Sequence, residues 1–222
     1  MDPRVFYPVI VSLQVAITST ILVMPPAIGI AWVLAKSRLP GKSAIDAITS
    51  LPLVLPPVVT GFLLLLILGR EGPLGGFLEN RLGLRIIFTW WAAVAASAIV
   101  SLPLAIRAIV PAMESIDPSL ESTARTLGAS EWIVFRRVTL PLSIRGLIGG
   151  GVLAFARSLG EFGATFVAAG SIPGETETIP IAIYRSLSIG DDSRAVTLAG
   201  ISAILAFVAL WISHRYFMQR KK

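Results

Sequence analysis

Cysteine is absent from the 222 residues, which excludes disulfides, thiolate metal sites and cysteine nucleophiles while leaving the redox compartment open. Histidine occurs once, as His214, so a histidine metal cluster and a histidine-based triad are excluded as well. Its place at the end of the last apolar run suits an interfacial residue. Charge is scarce: 14% of residues are charged, against about 25% in an ordinary soluble domain. A phosphate-binding loop is missing too. Gly41-Lys42-Ser43 resembles the end of one, but Lys36 stands where the leading glycine is required and no strand precedes it, so the chain itself is not expected to bind ATP. No repeat of fixed period and no low-complexity tract is visible.

Apolar sequence takes up the room. Hydrophobic residues make up 55% of the chain and the mean hydropathy is +0.80. Uncharged stretches run from Val5 to Ala35, Ala47 to Gly69, Ile86 to Ile106 and Ala195 to Ser213. Each is near or above the roughly 20 residues needed to cross a bilayer. A fifth, Gly146 to Gly170, is interrupted only by Arg157 and Glu161. The expectation is one all-α membrane domain over 1–222 with about five transmembrane helices. The first run is 31 residues long and lacks a small-residue cleavage site near its end, so it is kept as a span rather than a removable signal peptide. The net charge of +6 does not point to nucleic acid, because in such a chain the placement of charge matters more than its sum.

Placing Arg107 to Arg145 in the cytoplasm puts the N-terminus outside and the C-terminus inside. Lys36, Arg38, Lys42, Arg107, Arg125, Arg136, Arg137, Arg145, Arg215, Arg220, Lys221 and Lys222 then lie inside. Only Arg4, Arg70, Arg81, Arg85, Arg185 and Arg194 lie outside, a bias of twelve to six in the direction of the positive-inside rule. The outer segments are too short for a receptor domain, and Gly72 to Gly76 and Ser171 to Gly174 read as turns.

The segment 111–141 is too polar for lipid and too patterned for a slack linker. Asp117 followed by Pro118 supplies an N-cap and a first-turn proline, and Gly128 the residue that most easily ends a helix left-handed. The helix so predicted places Leu120, Ala124 and Leu127 on one face and an i,i+4 pair, Glu121 with Arg125, on another. Ser130 is expected to cap a second helix that carries Trp132, Phe135, Arg136 and Arg137 and ends by Pro141. Such an amphipathic helix has no core of its own to bury its stripe; pattern alone allows docking on a partner or lying on the membrane surface.

Ser122-Thr123-Ala124-Arg125-Thr126-Leu127-Gly128, followed nine residues later by Val138-Thr139-Leu140-Pro141, resembles the E-A-A-x-x-x-G-x9-I-x-L-P signature of ABC importer permeases. Ala124, Gly128, Leu140 and Pro141 match in register. Ser122 and Thr123 depart from the leading glutamate and alanine, with Glu121 one place early. The resemblance implies a coupling helix that fits a groove on an ATP-binding subunit, drawing on Leu120, Glu121, Ser122, Ala124, Arg125, Leu127, Gly128, Leu140 and Pro141. Leu51 to Gly61, Gly69 to Gly75, Phe155 to Thr165 and Gly170 to Pro180 further resemble the molybdate permeases and their sulfate and thiosulfate relatives. The implied fold is that of a type I ABC importer permease.

Inside the spans, Arg157 and Glu161 are one helical turn apart. Two readings stand: they neutralise each other or clamp neighbouring helices, or Arg157 lies near the path of a dianion. Pro52, Pro56 and Pro57 remove three backbone donors and should kink or break the second span near its cytoplasmic end. Pro56, Pro57, Thr60 and Gly61, beside Val58 and Val59, are therefore gate candidates, unless the prolines only shape packing. Pro25 and Pro26 are expected to kink the first span.

The resemblance implies a permease subunit that moves a tetrahedral oxyanion, molybdate first and sulfate, thiosulfate or tungstate as alternatives, by alternating access in the cell inner membrane. Its implied partners are a second copy of the chain, a pair of ATP-binding subunits holding the ATP and magnesium, an external oxyanion-binding protein, and lipid; neither catalysis nor nucleic acid belongs to the chain. An ATPase-independent channel would call for inverted repeats or more membrane carboxylates, and a membrane scaffold would not explain the proline-broken span. With five spans, cysteines introduced at Asp2 and Lys222 should be labelled by an impermeant reagent from opposite sides of the membrane; labelling from one side would remove the odd count.

Overall fold

The computed structural model describes residues 2–37 and 39–218, with side chains described to 211. Arg38, Arg220, Lys221 and Lys222, and the side chains of His214 and Arg215, lie outside the described residues. All regular structure among the described residues is helical. Three long helices carry the frame: α1 (Pro3–Lys36), α5 (Trp90–Glu114) and α12 (Asp192–Met218), which match three of the uncharged runs. Between α1 and α5 come α2 (Lys42–Val54), α3 (Pro57–Leu68) and α4 (Pro73–Leu82). After α5 come α6 (Pro118–Thr126), α7 (Glu131–Val134), a π-helical turn over Phe135–Thr139, α8 (Leu140–Leu142), α9 (Ile144–Leu159), α10 (Gly163–Ala169) and α11 (Ile179–Ser188).

Helices α1, α5 and α9 form the central bundle. Their approach depends on small residues. Gly146 and Gly150 lie one turn apart on α9 against α5, where a Cβ at Gly150 would sit 3.0 Å from the Ala105 carbonyl oxygen and one at Gly146 would collide with the Ala112 methyl. With Ala27, Ala31 and Ala105 buried alongside, backbones pack in the close manner that membrane helices use when hydrophobic exclusion from water is unavailable. Polar glue crosses the same seam: Ser19 donates to Ser158 Oγ at 3.0 Å, and Ser158 to the Ser97 carbonyl at 3.5 Å.

Helix ends are paired at two levels. Lys36, closing α1, lies 3.3 Å from Glu121 of α6, so that end of α1 belongs with the loop. At the opposite end the Arg4 carbonyl accepts from Arg194 of α12 at 2.8 Å. Helix α1, 34 residues or about 51 Å, exceeds a hydrocarbon layer of about 30 Å and runs unbroken through Pro25 and Pro26.

The second apolar run breaks where its prolines were expected to kink or break it, at Leu55–Pro56, and α2 and α3 meet at 110°. Two prolines in succession remove adjacent donors, and Pro57 is well placed to open a new helix but not to continue an old one. Other expectations are corrected. Gly72 to Gly76 is no turn throughout, since α4 begins at Pro73. The run from Gly146 to Gly170 also divides, α9 ending at Leu159 and α10 starting at Gly163, so Glu161 lies in the break rather than on the helix of Arg157. The second loop helix does not stop by Pro141. It widens into the π-helical turn just before that residue, as a ring clashing with the preceding turn demands, continues through Leu142 and bends by 72° into α9. Three helices are long and apolar enough to cross a membrane, or up to five if each bent pair counts as one span.

The close approach of α9 to α5 generates a direct test. Gly150→Leu should lower stability in detergent by about 1–3 kcal/mol through overpacking. Gly29→Ala, at a position with nothing within 4 Å of its added carbon, should leave it unchanged or raised. Both are read from denaturation midpoints.

Candidate functional site

The loop helix α6 is built as its residues dictate. Asp117 accepts from the Ser119 amide at 2.9 Å, which also holds its carboxyl below the ordinary carboxylate value, and Pro118 fills the first position. At the other end Gly128 has φ +87°, and the Ala129 amide reaches back to the Ala124 carbonyl at 3.0 Å. This left-handed stop turns the chain toward α7. Ser130 occupies the next N-cap position, but its side chain makes no capping bond.

The predicted Glu121–Arg125 pair does not form. Glu121 is buried: its Oε1 accepts from Thr139 Oγ1 at 2.7 Å and lies 3.3 Å from Lys36 Nζ. Arg125 instead grips Glu131 with two bonds, Nε to Oε1 at 2.6 Å and Nη2 to Oε2 at 3.1 Å. That fork holds the Glu131 carboxyl below its ordinary value and raises the Arg125 guanidinium. The reason is rotational: α6 turns Glu121 inward toward α1, and no isolated-helix pair can compete with a buried ammonium. Glu121 is thus a tie within the chain, and Arg125–Glu131 spans the turn at Gly128.

The outer face of α6 and α7 is mixed, with large apolar residues standing exposed among polar ones. Leu120 is exposed, Leu127 is 83% exposed and Trp132 is exposed, with Ser122 and Arg125 among them and Ala124 partly covered. Behind this face the Trp132, Phe135 and Trp32 rings stand in series, with centroids 5.5 and 5.3 Å apart, so a path of aromatic contact joins the outer face to α1. Leu140 packs on the core of α1, α5 and α9, and Pro141 lies just beyond the π-helical turn, facing outward.

The two helix breaks meet within the bundle. A Cβ at Gly61 would lie 2.7 Å from the Ala164 carbonyl oxygen, and one at Gly163 would lie 3.0 Å from Pro57 Cβ. Thr60 is buried beside Gly61, while Pro56 is exposed and Pro57 partly so. In the second break the Glu161 side chain, 1% exposed, accepts from Arg157 Nη2 at 2.7 Å and from the Ala164 amide at 2.8 Å, capping α10. Arg157 keeps 28% of its side chain exposed. The hydroxyls of Thr60 and Thr165 are buried without a partner among the described residues. Proline-marked and charge-marked segments about a hundred residues apart in sequence are thereby brought into one layer.

Sequence reasoning missed Lys36, Thr139, Glu131, Trp32, Gly163 and Ala164. Lys36 carried a signal, as the first charge after the first apolar run and hence fixed at the level of the loop. Thr139 and Ala164 carried none, since their roles follow from which helix lies opposite. No cluster of three or more metal-ligating side chains occurs among the described residues.

Residues 27–222 match the family model described as the binding-protein-dependent transport system inner membrane component. The molybdenum transport system permease protein ModB of Escherichia coli (strain K12) is 48% identical over 96% of this chain and 93% of its own length. ModB of Haemophilus influenzae is 47% identical over 95% of this chain and 93% of its own. The fold is similar to a crystal structure of a bacterial ABC transporter involved in the import of the acidic polysaccharide alginate, with a TM-score of 0.76 and 18% identity across 100% of this chain and 82% of that one.

Because Glu121 is buried against Lys36, Glu121→Lys places two ammonium groups together and should cost several kcal/mol, on the order of the 3–5 kcal/mol lost when a buried pair is broken. The swapped double variant Lys36→Glu/Glu121→Lys should recover part of that loss. Thermal midpoints of the four proteins, taken as a double-mutant cycle, measure the coupling.

Proposed function

The chain belongs to the family of binding-protein-dependent transport system inner membrane components, and on that premise we propose that it is the molybdate-translocating permease of an ATP-driven importer. The cargo assignment rests on the similarity to the ModB proteins, which extends over nearly the whole chain. The coupling assignment rests on one observation above the others. A short helix fixes its buried carboxylate to α1 and leaves Leu120, Leu127 and Trp132 without cover.

In this reading two copies of the chain enclose the pathway, related by a twofold axis. The N-terminus is external and the loop cytoplasmic. Each loop sits in a groove of an ATP-binding subunit, which holds the ATP and magnesium, and an external binding protein delivers the oxyanion. Closure of the ATP-binding pair displaces α6. Since Glu121–Lys36 and the Trp132–Phe135–Trp32 series attach that helix to α1, and Thr139 and Leu140 attach it to the start of α9, the push passes into the central bundle rather than bending the loop.

Helix α9 leads to the layer where the breaks meet. Backbone groups released at Leu55–Pro56 and at Gly160–Phe162 need water or protein partners, and inside a bilayer that requirement favours a water-filled path. Pro56, Pro57, Thr60 and Gly61 form the α3 side of this gate, and Arg157 and Glu161 the α9–α10 side. Pairing with Glu161 moderates Arg157: an unopposed guanidinium would hold a dianion too firmly to release it, whereas a paired and partly exposed one offers a transient donor.

The experiment reconstitutes the permease with its ATP-binding subunits and cognate binding protein in proteoliposomes. Gly128→Val forces a β-branched residue into the left-handed region at a cost of about 1–2 kcal/mol and redirects α7. Leu127→Asp charges the exposed face without touching the interior. Both should insert normally and lose most binding-protein-stimulated ATP hydrolysis; full coupling in both would remove the loop from the mechanism. Molybdate should stimulate uptake where sulfate at the same concentration does not, and equal stimulation would remove the cargo assignment.

A further inference from the structure

The end of the molecule opposite the loop holds a basic cavity that the transport reading does not use. It measures about 530 Å³ and lies between the start of α1, the 171–178 segment, the end of α11 and the start of α12. Arg4, Arg185 and Arg194 line it together with Glu177 and Asp191, three positive groups against two negative. Both carboxylates are already engaged. Buried Glu177 is 3.2 Å from Arg185 Nη1 and 3.5 Å from Arg194 Nη2, and Asp191 Oδ1 accepts from the Arg194 amide at 3.2 Å.

Donors therefore outnumber acceptors. Arg194 Nε is buried with no hydrogen-bond partner among the described residues, and the Arg4 guanidinium has no acidic partner among them. A guanidinium offers five donors, and buried donors in native proteins are almost always matched. The deficit calls for an anion with several acceptor oxygens, the chemistry of a tetrahedral phosphate.

Position identifies the source. Arg4 is the last charge before the uncharged run that starts at Val5, and Arg194 the last before the run that starts at Ala195. Contact between these two residues puts the cavity at the height where two apolar helices enter the bilayer, the headgroup layer. Phe6 and Tyr7 stand exposed at the same height, and Tyr7 lines the cavity, as aromatic residues of a membrane interface do. Below it α12 has only 17% of its most apolar stretch buried, which leaves a surface for acyl chains directly under the arginines.

We propose that this cavity binds the phosphate of an anionic phospholipid, in the leaflet at the end of the molecule opposite the loop. The site rests on the chain spanning a membrane and is independent of which anion is transported. Arg4 and Arg185 supply the free donors, and Glu177 fixes the two arginines of α11 and α12 in place. Bound there, the lipid joins the starts of α1 and α12.

The test uses the permease assembled with its ATP-binding subunits in detergent, with phosphatidylglycerol as the probe. Native mass spectrometry counts the lipid retained per chain, and titration of the thermal midpoint gives its apparent affinity. Arg4→Gln/Arg185→Gln should assemble and lose about tenfold or more in affinity, the equivalent of one charge-assisted bond of about 1.4 kcal/mol or more. Should the double variant fail to assemble, Arg4→Gln alone carries the test, since its guanidinium holds no other acidic group, and a several-fold loss is expected. Unchanged phosphatidylglycerol binding overturns the proposal. Displacement of the lipid by millimolar inorganic phosphate or molybdate overturns it in favour of a free-oxyanion site. Unchanged lipid retention with weakened capture of the external binding protein overturns it in favour of a protein-docking surface.

Discussion

A bilayer interior offers no water to a backbone amide, and every feature of this chain answers to that constraint. Helices satisfy their own groups, so the described regular structure is helical throughout, and a break at membrane depth must be buried or wetted. The two breaks are not scattered. Gly61 and Gly163 allow α3 and α10 to approach at backbone distance, which brings the Leu55–Pro56 and Gly160–Phe162 segments into one layer. Arg157 and Glu161 join that layer because the break frees the Glu161 carboxylate to cap α10 and to meet the arginine at once.

Around this layer the bundle depends on smallness rather than on hydrophobic bulk. Lipid is as apolar as leucine, so large side chains gain little by facing inward, while glycine and alanine let helices touch. Gly146 and Gly150 against Ala105 and Ala112, with the Ser19–Ser158–Ser97 contacts, give α1, α5 and α9 a rigid seam. Larger apolar residues such as Ile21, Val58 and Phe207 lie outside.

Rigidity gives the loop its meaning. The charged groups at α6 are used within the chain: Asp117 starts the helix, Glu121 fixes it to Lys36 and Thr139, and Arg125 reaches across the turn to Glu131. Leu120, Leu127 and Trp132 stay exposed beside them. This suits a lever with one end fixed in the bundle and the other offered to a partner. At the far end of the molecule Arg4, Arg185 and Arg194 outnumber Glu177 and Asp191, so what suits that end is an anion rather than an apolar groove.

The residues by themselves determined what local chemistry controls. Uncharged runs located α1, α5 and α12 because desolvation of charge is decided residue by residue, and Asp117-Pro118 with Gly128 bounded α6 because caps and left-handed turns are local. Prolines 56 and 57 marked the place of a break, but its 110° angle depended on what α3 packs against. The partner of Glu121 was beyond reach of the sequence. An i,i+4 spacing permits contact with Arg125, whereas the rotation of α6 against α1 selects Lys36, some 85 residues away. Likewise Glu161 was read on one helix with Arg157, and only the packing of α10 on α3 separated them into helix and cap. Tertiary structure decided these matters because close approach and charge pairing depend on which surfaces face each other, and that is set by the whole bundle at once.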